Sequence, residues 1–292
     1  MSLNNLASLL EAMGDLPAAR PLFERALAID EKALGPNHPQ TATDLNNLAS
    51  LLRVMGDLPA ARPLSERALA INEKALGPDH PQTAGSLNNL ASLLQDMGDF
   101  TAARPLFERG LAIAETALGP DHPSTATILN NLALLLRDMG DLAGARTRIE
   151  RALTIREKTL GTGHPGTAAS YNELASLLHA MGDLTTARQL FERALATREK
   201  TLGPGHSETA ASLNNLALLL QDMGDLPAAR LLLERALTIN EKTLGSDHPH
   251  MAVSLNNLAM VLEDMGDLAT ARTLIERALA IHEKVLGPEH PE

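Results

Sequence analysis

The sequence predicts an all-α fold, a solenoid of seven stacked helical hairpins, and two observations lead to that prediction. The first is periodicity, because the tripeptide Met-Gly-Asp recurs at a constant interval of 42 residues, starting at Met13, Met55, Met97, Met139, Met181, Met223 and Met265. A fixed period in this range is typical of stacked repeats that pack only on their neighbours. The second is composition, since the apolar residues are mostly Leu and Ala and aromatic residues make up 2% of the chain. Leu and Ala favour helices, whereas strands favour β-branched and aromatic residues.

The first helix of each repeat is predicted to begin at a turn proline, as at Pro39 in the second repeat. Proline suits the first turn of a helix, where its missing N–H would have no intrahelical partner. Apolar residues then follow at spacings of three and four, which places them on one helix face: Ala42, Leu45, Leu48, Ala49 and Leu52. We expect this face to be buried, with the small Ala49 allowing a partner helix to approach closely.

A three-residue turn and a second helix complete the repeat. Gly56 is predicted to cap the first helix, and Asp57 to cap the next one by accepting its free backbone N–H groups. The second helix is predicted over residues 58–75, and the segment from Gly77 to Pro81 ends it. The predicted repeats form one continuous solenoid over residues 1–37, 38–79, 80–121, 122–163, 164–205, 206–247 and 248–292.

This 42-residue repeat resembles the tetratricopeptide repeat, which places small and large apolar positions around a Gly-Asp-type turn in a usual length of about 34 residues. The longer segment ALAINEKALGPDHPQTAGSLNNLASLL, which joins one repeat to the next, is similar to the repeats of kinesin light chain. Similar repeats occur in bacterial proteins, often attached to signalling ATPases or caspase-like proteases. The resemblance covers the whole chain. It implies a right-handed α–α superhelix whose concave groove, built from the first helices, binds a peptide segment of a partner protein without catalysis.

The candidate site residues lie on the predicted inner face of the first helices. In related repeats the second asparagine of the Asn-Asn pair contacts bound peptide, which implies the same role here for Asn5, Asn47, Asn89, Asn131, Asn215 and Asn257, with Glu173 departing from the pattern. Asparagine offers two donors and an acceptor, which suits the backbone of an extended peptide. Four aspartates share this face with Glu173, and no Lys or Arg does: Asp96, Asp138, Asp222 and Asp264. We therefore expect neutral or basic peptides to be preferred.

A structural role for the asparagines is the alternative. The first asparagine of each pair is predicted to form hydrogen bonds between adjacent repeats, because buried polar groups need partners. These residues are Asn46, Asn88, Asn130, Asn172, Asn214 and Asn256. For the second asparagine the sequence leaves both roles open, the peptide contact and the same inter-repeat bond.

Composition argues against several other functions. The formal net charge of −11 disfavours nucleic-acid binding, which needs clustered Lys and Arg. No apolar run approaches about 18 residues, so no membrane-spanning helix is expected. The absence of cysteine fits a reducing compartment, and we expect a cytoplasmic protein.

No cofactor, metal site or catalytic group is predicted. Histidines at equivalent turns are expected to lie too far apart to share a metal ion and to cap turns instead: His38, His80, His122, His164, His206, His248 and His290. The recurring Arg-X3-Glu pattern, as at Arg20 and Glu24, is expected to form exposed ion pairs. Since no Ser/His/Asp order, phosphate-binding glycine loop or cysteine nucleophile is present, the chain is predicted not to be an enzyme.

The two ends of the sequence lead to further alternatives. Met1 falls inside a predicted first helix, and the chain stops at Glu292, just as an eighth repeat would begin. This favours a segment of a longer array, either the sensor or scaffold part of a larger signalling ATPase or caspase-like protease, or an engineered, self-associating repeat module. Because uncapped and nearly identical repeats can stack head to tail, we expect a mostly monomeric protein with weak end-to-end association.

Overall fold

The computed structural model describes residues 3–246 and 248–286, and this part of the chain forms fourteen α-helices arranged as seven hairpins. The hairpins are α1 (Leu3–Ala12) with α2 (Leu16–Ala33), α3 (Pro39–Val54) with α4 (Leu58–Ala75), α5 (Pro81–Asp96) with α6 (Phe100–Ala117), α7 (Pro123–Asp138) with α8 (Leu142–Leu160), α9 (Pro165–Ala180) with α10 (Leu184–Thr201), α11 (Ser207–Asp222) with α12 (Leu226–Leu244), and α13 (Pro249–Asp264) with α14 (Leu268–Leu286). No strand occurs within the described residues. The predicted all-α class and hairpin repeat are confirmed, and so are the start of α3 and both bounds of α4.

The chain divides into two compact blocks, and the boundary between them falls within α8. The first block lies within Met1–Ile155 and the second block within Arg156–Glu292. In both blocks the two helices of a hairpin pack on each other, and a second helix also packs on the first helix of the next hairpin. First helices of successive hairpins touch as well, α3 with α5 and α5 with α7 in the first block, and α9 with α11 and α11 with α13 in the second. The first helices therefore form a layer in each block.

The Met-Gly-Asp turn reverses the chain inside each hairpin. Gly56 has a φ of 82°, a left-handed conformation that favours glycine. Its N–H donates to the carbonyl oxygen of Arg53 at 3.0 Å, and the N–H of Asp57 donates to that of Leu52 at 2.9 Å, so the last carbonyl groups of α3 have partners. The Asp57 carboxylate accepts from the N–H of Ala60 at 3.3 Å and caps α4. Both predicted caps are confirmed.

Histidine and threonine shape the turn between hairpins. An Nδ1 atom accepts a hydrogen bond of 3.0–3.2 Å from the backbone N–H two residues later in His38, His80, His122, His164 and His206. Three residues after each of these histidines, a fully buried threonine donates its hydroxyl to the preceding turn glycine, as Thr83 does to the carbonyl oxygen of Gly77 at 2.8 Å. The predicted capping role is confirmed for these five histidines, while His290 lies outside the described residues.

Leucine and alanine of the first helices fill the core. The apolar face expected for α3 is at most 6% exposed at each of its five members, Ala42, Leu45, Leu48, Ala49 and Leu52. Large side chains from the second helices complete this core, as Phe23, Phe107 and Phe191 do. Burial differs between copies of one position, since Leu132 in α7 is 1% exposed and Leu6 in α1 is 41% exposed.

Leu132→Ala should destabilise the protein more than Leu6→Ala. The two leucines occupy the same position of their repeats, but only Leu132 is fully enclosed. Removing a buried leucine side chain costs about 2–5 kcal/mol, and removing an exposed one costs much less. Urea denaturation followed by helical circular dichroism, with the unaltered chain as reference, measures both losses. Equal losses, or a larger loss for Leu6→Ala, would contradict the prediction.

Polar side chains are buried at one repeated position between consecutive hairpins. In the first block, the Ser86 hydroxyl of α5 accepts hydrogen bonds from Asn46 of α3 at 3.0 Å and from Asn72 of α4 at 2.9 Å. In the second block, the Ser212 hydroxyl of α11 accepts from Arg198 of α10 at 2.7 Å. Both serines are completely buried, so these bonds supply the partners that buried hydroxyl groups require.

Asp44 of α3 occupies this junction position in place of a serine. It is completely buried, and its Oδ1 accepts from Asn4 Nδ2 at 2.6 Å. Burial is the main cause that raises the pKa of Asp44 above its usual value; the hydrogen bond from Asn4 opposes this shift, and the facing carboxyl group of Asp30 in α2 adds to it. The first junction therefore buries a carboxyl group where its charged form is disfavoured.

Asp44→Ser should stabilise the protein at pH 7 and do so less at pH 4. Because the folded-state pKa is raised, the contribution of the carboxyl group to stability is present below its unfolded pKa of about 3.9 and is lost as the pH rises through the folded value. At pH 7 the variant lacks a carboxyl group whose charged form is disfavoured by burial, and we expect a gain of about 1–3 kcal/mol.

Urea denaturation at the two pH values measures this difference. Asp79→Ser, a replacement of an exposed aspartate in the next turn, is the control for loss of one negative charge. A gain of the same size at both pH values would show that the charge on Asp44 is not its cause.

Ion pairs cover the exposed side of the second helices. Arg20 contacts Glu24 at 2.8 Å within α2, and the same pair recurs in each later second helix. Between hairpins, Arg109 of α6 contacts Glu73 of α4 at 2.6 Å. Solvent screens exposed pairs of this kind, so each contributes little to stability, and the expected surface role is confirmed. Within residues 3–246 and 248–286, no helix is both long and apolar enough to cross a bilayer.

Candidate functional site

The predicted site residues lie on one solvent-bordering side of the first helices, which we call the first-helix face. In the first block this face belongs to α3, α5 and α7 and includes Asn47, Asn89 and Asn131. In the second block it belongs to α9, α11 and α13 and includes Glu173, Asn215 and Asn257. These side chains are half-buried or exposed, and Asn5 is exposed on α1.

A ladder of amide hydrogen bonds joins neighbouring first helices on this face. Three bonds of 2.8–3.1 Å run from the second asparagine of one repeat to the first asparagine of the preceding repeat: Asn131 to Asn88, Asn215 to Asn172, and Asn257 to Asn214. The inter-repeat role expected for the first asparagine is confirmed at these three positions and also at Asn46, which donates to Ser86 of the next repeat. An amide group carries two N–H donors and a carbonyl oxygen, so a second asparagine that gives one N–H to its neighbour keeps further hydrogen-bonding groups at the solvent border.

A second row of contacts runs along the C-terminal ends of the first helices. Each of the four aspartates of the candidate site meets a side chain 43 residues earlier, at 2.6–2.7 Å: Asp96 meets Arg53, Asp138 meets Gln95, Asp222 meets His179, and Asp264 meets Gln221. Asp138 also contacts its neighbour Arg137 at 3.1 Å. The acidic residues are therefore part of the contacts between hairpins as well as of the solvent-bordering face.

The partners in this second row make the charge of the face differ between the blocks. In the first block, guanidinium groups of Arg53 and Arg137 lie beside the carboxylates and offset their charge. In the second block, Asp264 is bonded by a neutral amide and Asp222 by an imidazole. Glu173 adds a carboxyl group to the same side. The first-helix face of the second block is therefore the more acidic of the two.

A small polar pocket opens on the first-helix face between α3, α5 and α7. Its volume is about 100 Å³, and Arg53, Asn89 and Asn131 are among its lining residues, with the buried Ser65 of α4. In the 42-residue register, Ser65 replaces a large apolar residue, namely Phe23, Phe107, Ile149, Phe191, Leu233 or Ile275. The pocket was not expected from the sequence. The signal that could have indicated it is one serine at a repeat position that holds a large apolar residue in every other copy.

Alanine replacements at Asn88 and Asn131 should be coupled. The bond between the two amide groups is expected to contribute about 0.5–1.5 kcal/mol, so the double variant should lose less stability than the sum of the single losses. Urea denaturation of the three variants measures the coupling. Gln82→Ala, which removes an exposed side chain from α5, is the control and should be nearly neutral. Additive losses would show that the ladder does not stabilise the stack.

Family models agree with this structure. A tetratricopeptide repeat model matches residues 1–71, 45–116, 82–158, 124–200 and 166–242, and another tetratricopeptide repeat model matches residues 251–292. No curated protein matches the chain. The family models therefore place repeats of one type along nearly the whole sequence.

Solved structures show the same repeat. One is a Podosopora anserina protein of the kinesin light chain type that consists of nearly identical TPR-like repeats. It is 34% identical, over 70% of this chain and 97% of that chain, with a TM-score of 0.61. BtubC (BKLC) from P. vanneervenii is 25% identical, over 80% of this chain and 92% of that chain, with a TM-score of 0.66. The Rap conjugation gene regulator of the plasmid pLS20, solved with the Phr* peptide, shares the fold at 17% identity, over 97% of this chain and 75% of that chain, with a TM-score of 0.69. This chain therefore belongs to the tetratricopeptide repeat family and has the kinesin light chain-like form of the repeat.

Proposed function

We propose that the first-helix face binds an extended segment of a partner protein and that the chain is a non-catalytic interaction scaffold. The amide ladder carries this proposal, because it sets hydrogen-bonding groups at regular intervals along the solvent-bordering side of neighbouring helices. Membership of the tetratricopeptide repeat family supports it, as does the shared fold of a Rap regulator that was solved with a peptide. The ion pairs on the second helices are repeated and exposed, and we assign them no catalytic role.

The spacing of the first helices suits an extended backbone. Packed helices lie about 8–10 Å apart, and an extended chain advances about 3.3 Å per residue. One ladder asparagine would therefore meet about every third residue of a peptide that crosses the first helices. The peptide N–H and C=O groups would pair with amide groups such as those of Asn89 and Asn131 in the first block, or Asn215 and Asn257 in the second.

The charge of the face favours neutral or basic peptides. In the second block, Glu173, Asp222 and Asp264 would attract Lys and Arg side chains and repel acidic ones. In the first block, Arg53 and Arg137 offset the carboxylates, so the preference should be weaker there. Because the carboxylates border solvent, added salt should screen this attraction.

Peptide selection from a random library tests the proposal. The full chain would be immobilised and panned against random dodecapeptides displayed on phage, and the Kd of each selected peptide would be measured by fluorescence anisotropy at low and high salt. We expect selected peptides that are neutral or basic overall, with a Kd that rises with salt for the basic ones.

Two matched double variants locate the binding surface. Asp222→Asn with Asp264→Asn removes two carboxylates from the first-helix face. This change should weaken the binding of basic peptides by about 0.2–1 kcal/mol per carboxylate. Glu192→Gln with Glu234→Gln removes the same charge from the second helices α10 and α12 and should leave the Kd unchanged. Selection of acidic peptides, equal effects of the two double variants, or a failure to select any peptide would count against the proposal.

A further inference from the structure

A pocket of about 400 Å³ lies between α5, α6 and α7 in the first block. Gly85, Ala114, Leu118 and Ile128 contribute to its lining. None of the residues that line this pocket is Asp, Glu, Lys or Arg. The volume falls within the range of about 300–1,000 Å³ that is usual for ligand sites.

Three departures from the repeat coincide at this pocket. In the 42-residue register, Ala114 replaces a polar residue of every other copy, namely Asp30, Asn72, Arg156, Arg198, Asn240 or His282. Ile128 replaces Asp44, Ser86, Ser170, Ser212 or Ser254, and Gly85 replaces Thr43, Thr127, Ala169, Ala211 or Val253. The polar pair that is buried at other junctions, as between Asn72 and Ser86 at 2.9 Å, is thus exchanged for two apolar residues, and a side chain is missing at Gly85.

The corresponding pocket of the second block has a polar lining. It lies between α11, α12 and α13, has a volume of about 370 Å³, and includes Asn240 and Ser254, which are hydrogen-bonded at 3.0 Å. Glu208 also lines it, and Ala211 stands at the position of Gly85. The same arrangement of helices therefore forms a pocket in both blocks, and the residues at two or three positions decide its chemistry.

We propose that the pocket between α5, α6 and α7 takes one apolar side chain, the size of leucine, isoleucine, methionine or phenylalanine, from the peptide bound on the first-helix face. This inference rests on the proposed function and adds a specificity to it. The lining selects the occupant, because it has no Asp, Glu, Lys or Arg and includes Ala114, Leu118 and Ile128, which favours burial of an apolar group. A charged side chain would lose its hydration there without an ionic partner.

The position of the pocket fits a peptide that lies along the asparagines. Gly85 precedes Asn89 by four residues in α5, and Thr127 precedes Asn131 by four residues in α7, so each pair shares a helix face. Thr127 and Gly85 both line the pocket, and so does Asn88, the acceptor of the Asn131 amide. A backbone paired with Asn89 and Asn131 would therefore pass beside the pocket and could place a side chain in it.

Gly85→Thr should narrow the pocket without harming the fold. A Cβ atom added at Gly85 would meet no other atom within 4 Å, and threonine is the residue of the neighbouring repeats at this position. Because an interior helix glycine is unfavourable for folding, we expect an unchanged or higher Tm. Ala114→Asn with Ile128→Ser is an independent change that installs the polar pair found at the preceding junction. Ala211→Thr makes the equivalent change in the pocket of the second block and is the matched control.

The probes are the peptides selected from the random dodecapeptide library on the unaltered chain. We expect them to share one apolar residue, and its replacement by alanine should raise the Kd by about tenfold or more. Gly85→Thr and the double variant Ala114→Asn with Ile128→Ser should each raise the Kd of the original peptide to a similar extent. In both variants the original peptide and its alanine form should then bind alike, whereas Ala211→Thr should leave both Kd values unchanged.

The outcomes separate this inference from the proposed function. The pocket assignment is wrong, and the scaffold function stands, if the selected peptides have the same Kd for Gly85→Thr and for the unaltered chain. The same holds if replacing their apolar residue by alanine raises the Kd equally for both proteins. An equal loss with Ala211→Thr would also overturn the assignment, because the effect would then not be local to the first block. A library that yields no peptide at all would overturn both.

Discussion

Within each block, a hairpin depends on its neighbours to bury the apolar side of its helices. The contacts between hairpins join residues at fixed sequence distances, 43 for Asn88 with Asn131 and 14 for Asn72 with Ser86. The insertion of a single residue within a helix would break the pairs that span it and would turn the following residues of that helix out of the core. The constant 42-residue period is therefore a packing requirement, and the caps, the core and both rows of contacts on the first helices depend on it.

Within this register, a position can vary only if the residue that it contacts tolerates the change. The turn histidine and threonine recur because each makes the same hydrogen bond in successive hairpins. The buried junction position varies more, since Asp44 faces Asp30 and Ile128 stands opposite the short Ala114, whereas serine at other junctions meets asparagine or arginine. The chemistry between two hairpins can thus change at one junction while the fold remains the same, which is how a uniform stack acquires pockets of different character.

The helices and their caps could be predicted from the sequence because their signals are local. Proline at a helix start, glycine in a left-handed turn and aspartate at a cap act through residues a few positions away. The pockets could not be predicted in the same way, because each depends on volume that is absent where separate helices meet. Ser65 leaves a gap only because α3, α5 and α7 meet beside it, and Ala114 has its effect only together with Ile128. The asparagine roles could be narrowed but not assigned, since one amide group can bond a neighbour and still offer groups to a ligand.

The paired junction residues also bear on how a gene of this kind changes length. Unequal recombination between similar repeats removes or adds 42 codons at a time, which keeps the register and therefore the caps and the core. It does not keep the junction pairs. Loss of residues 73–114, for example, would place Asn72 beside Ile128 and deprive a buried amide of the Ser86 hydroxyl that it now contacts, at a cost of about 1–3 kcal/mol. Matched pairs between hairpins thus act against the gain and loss of repeats and preserve their order along the chain.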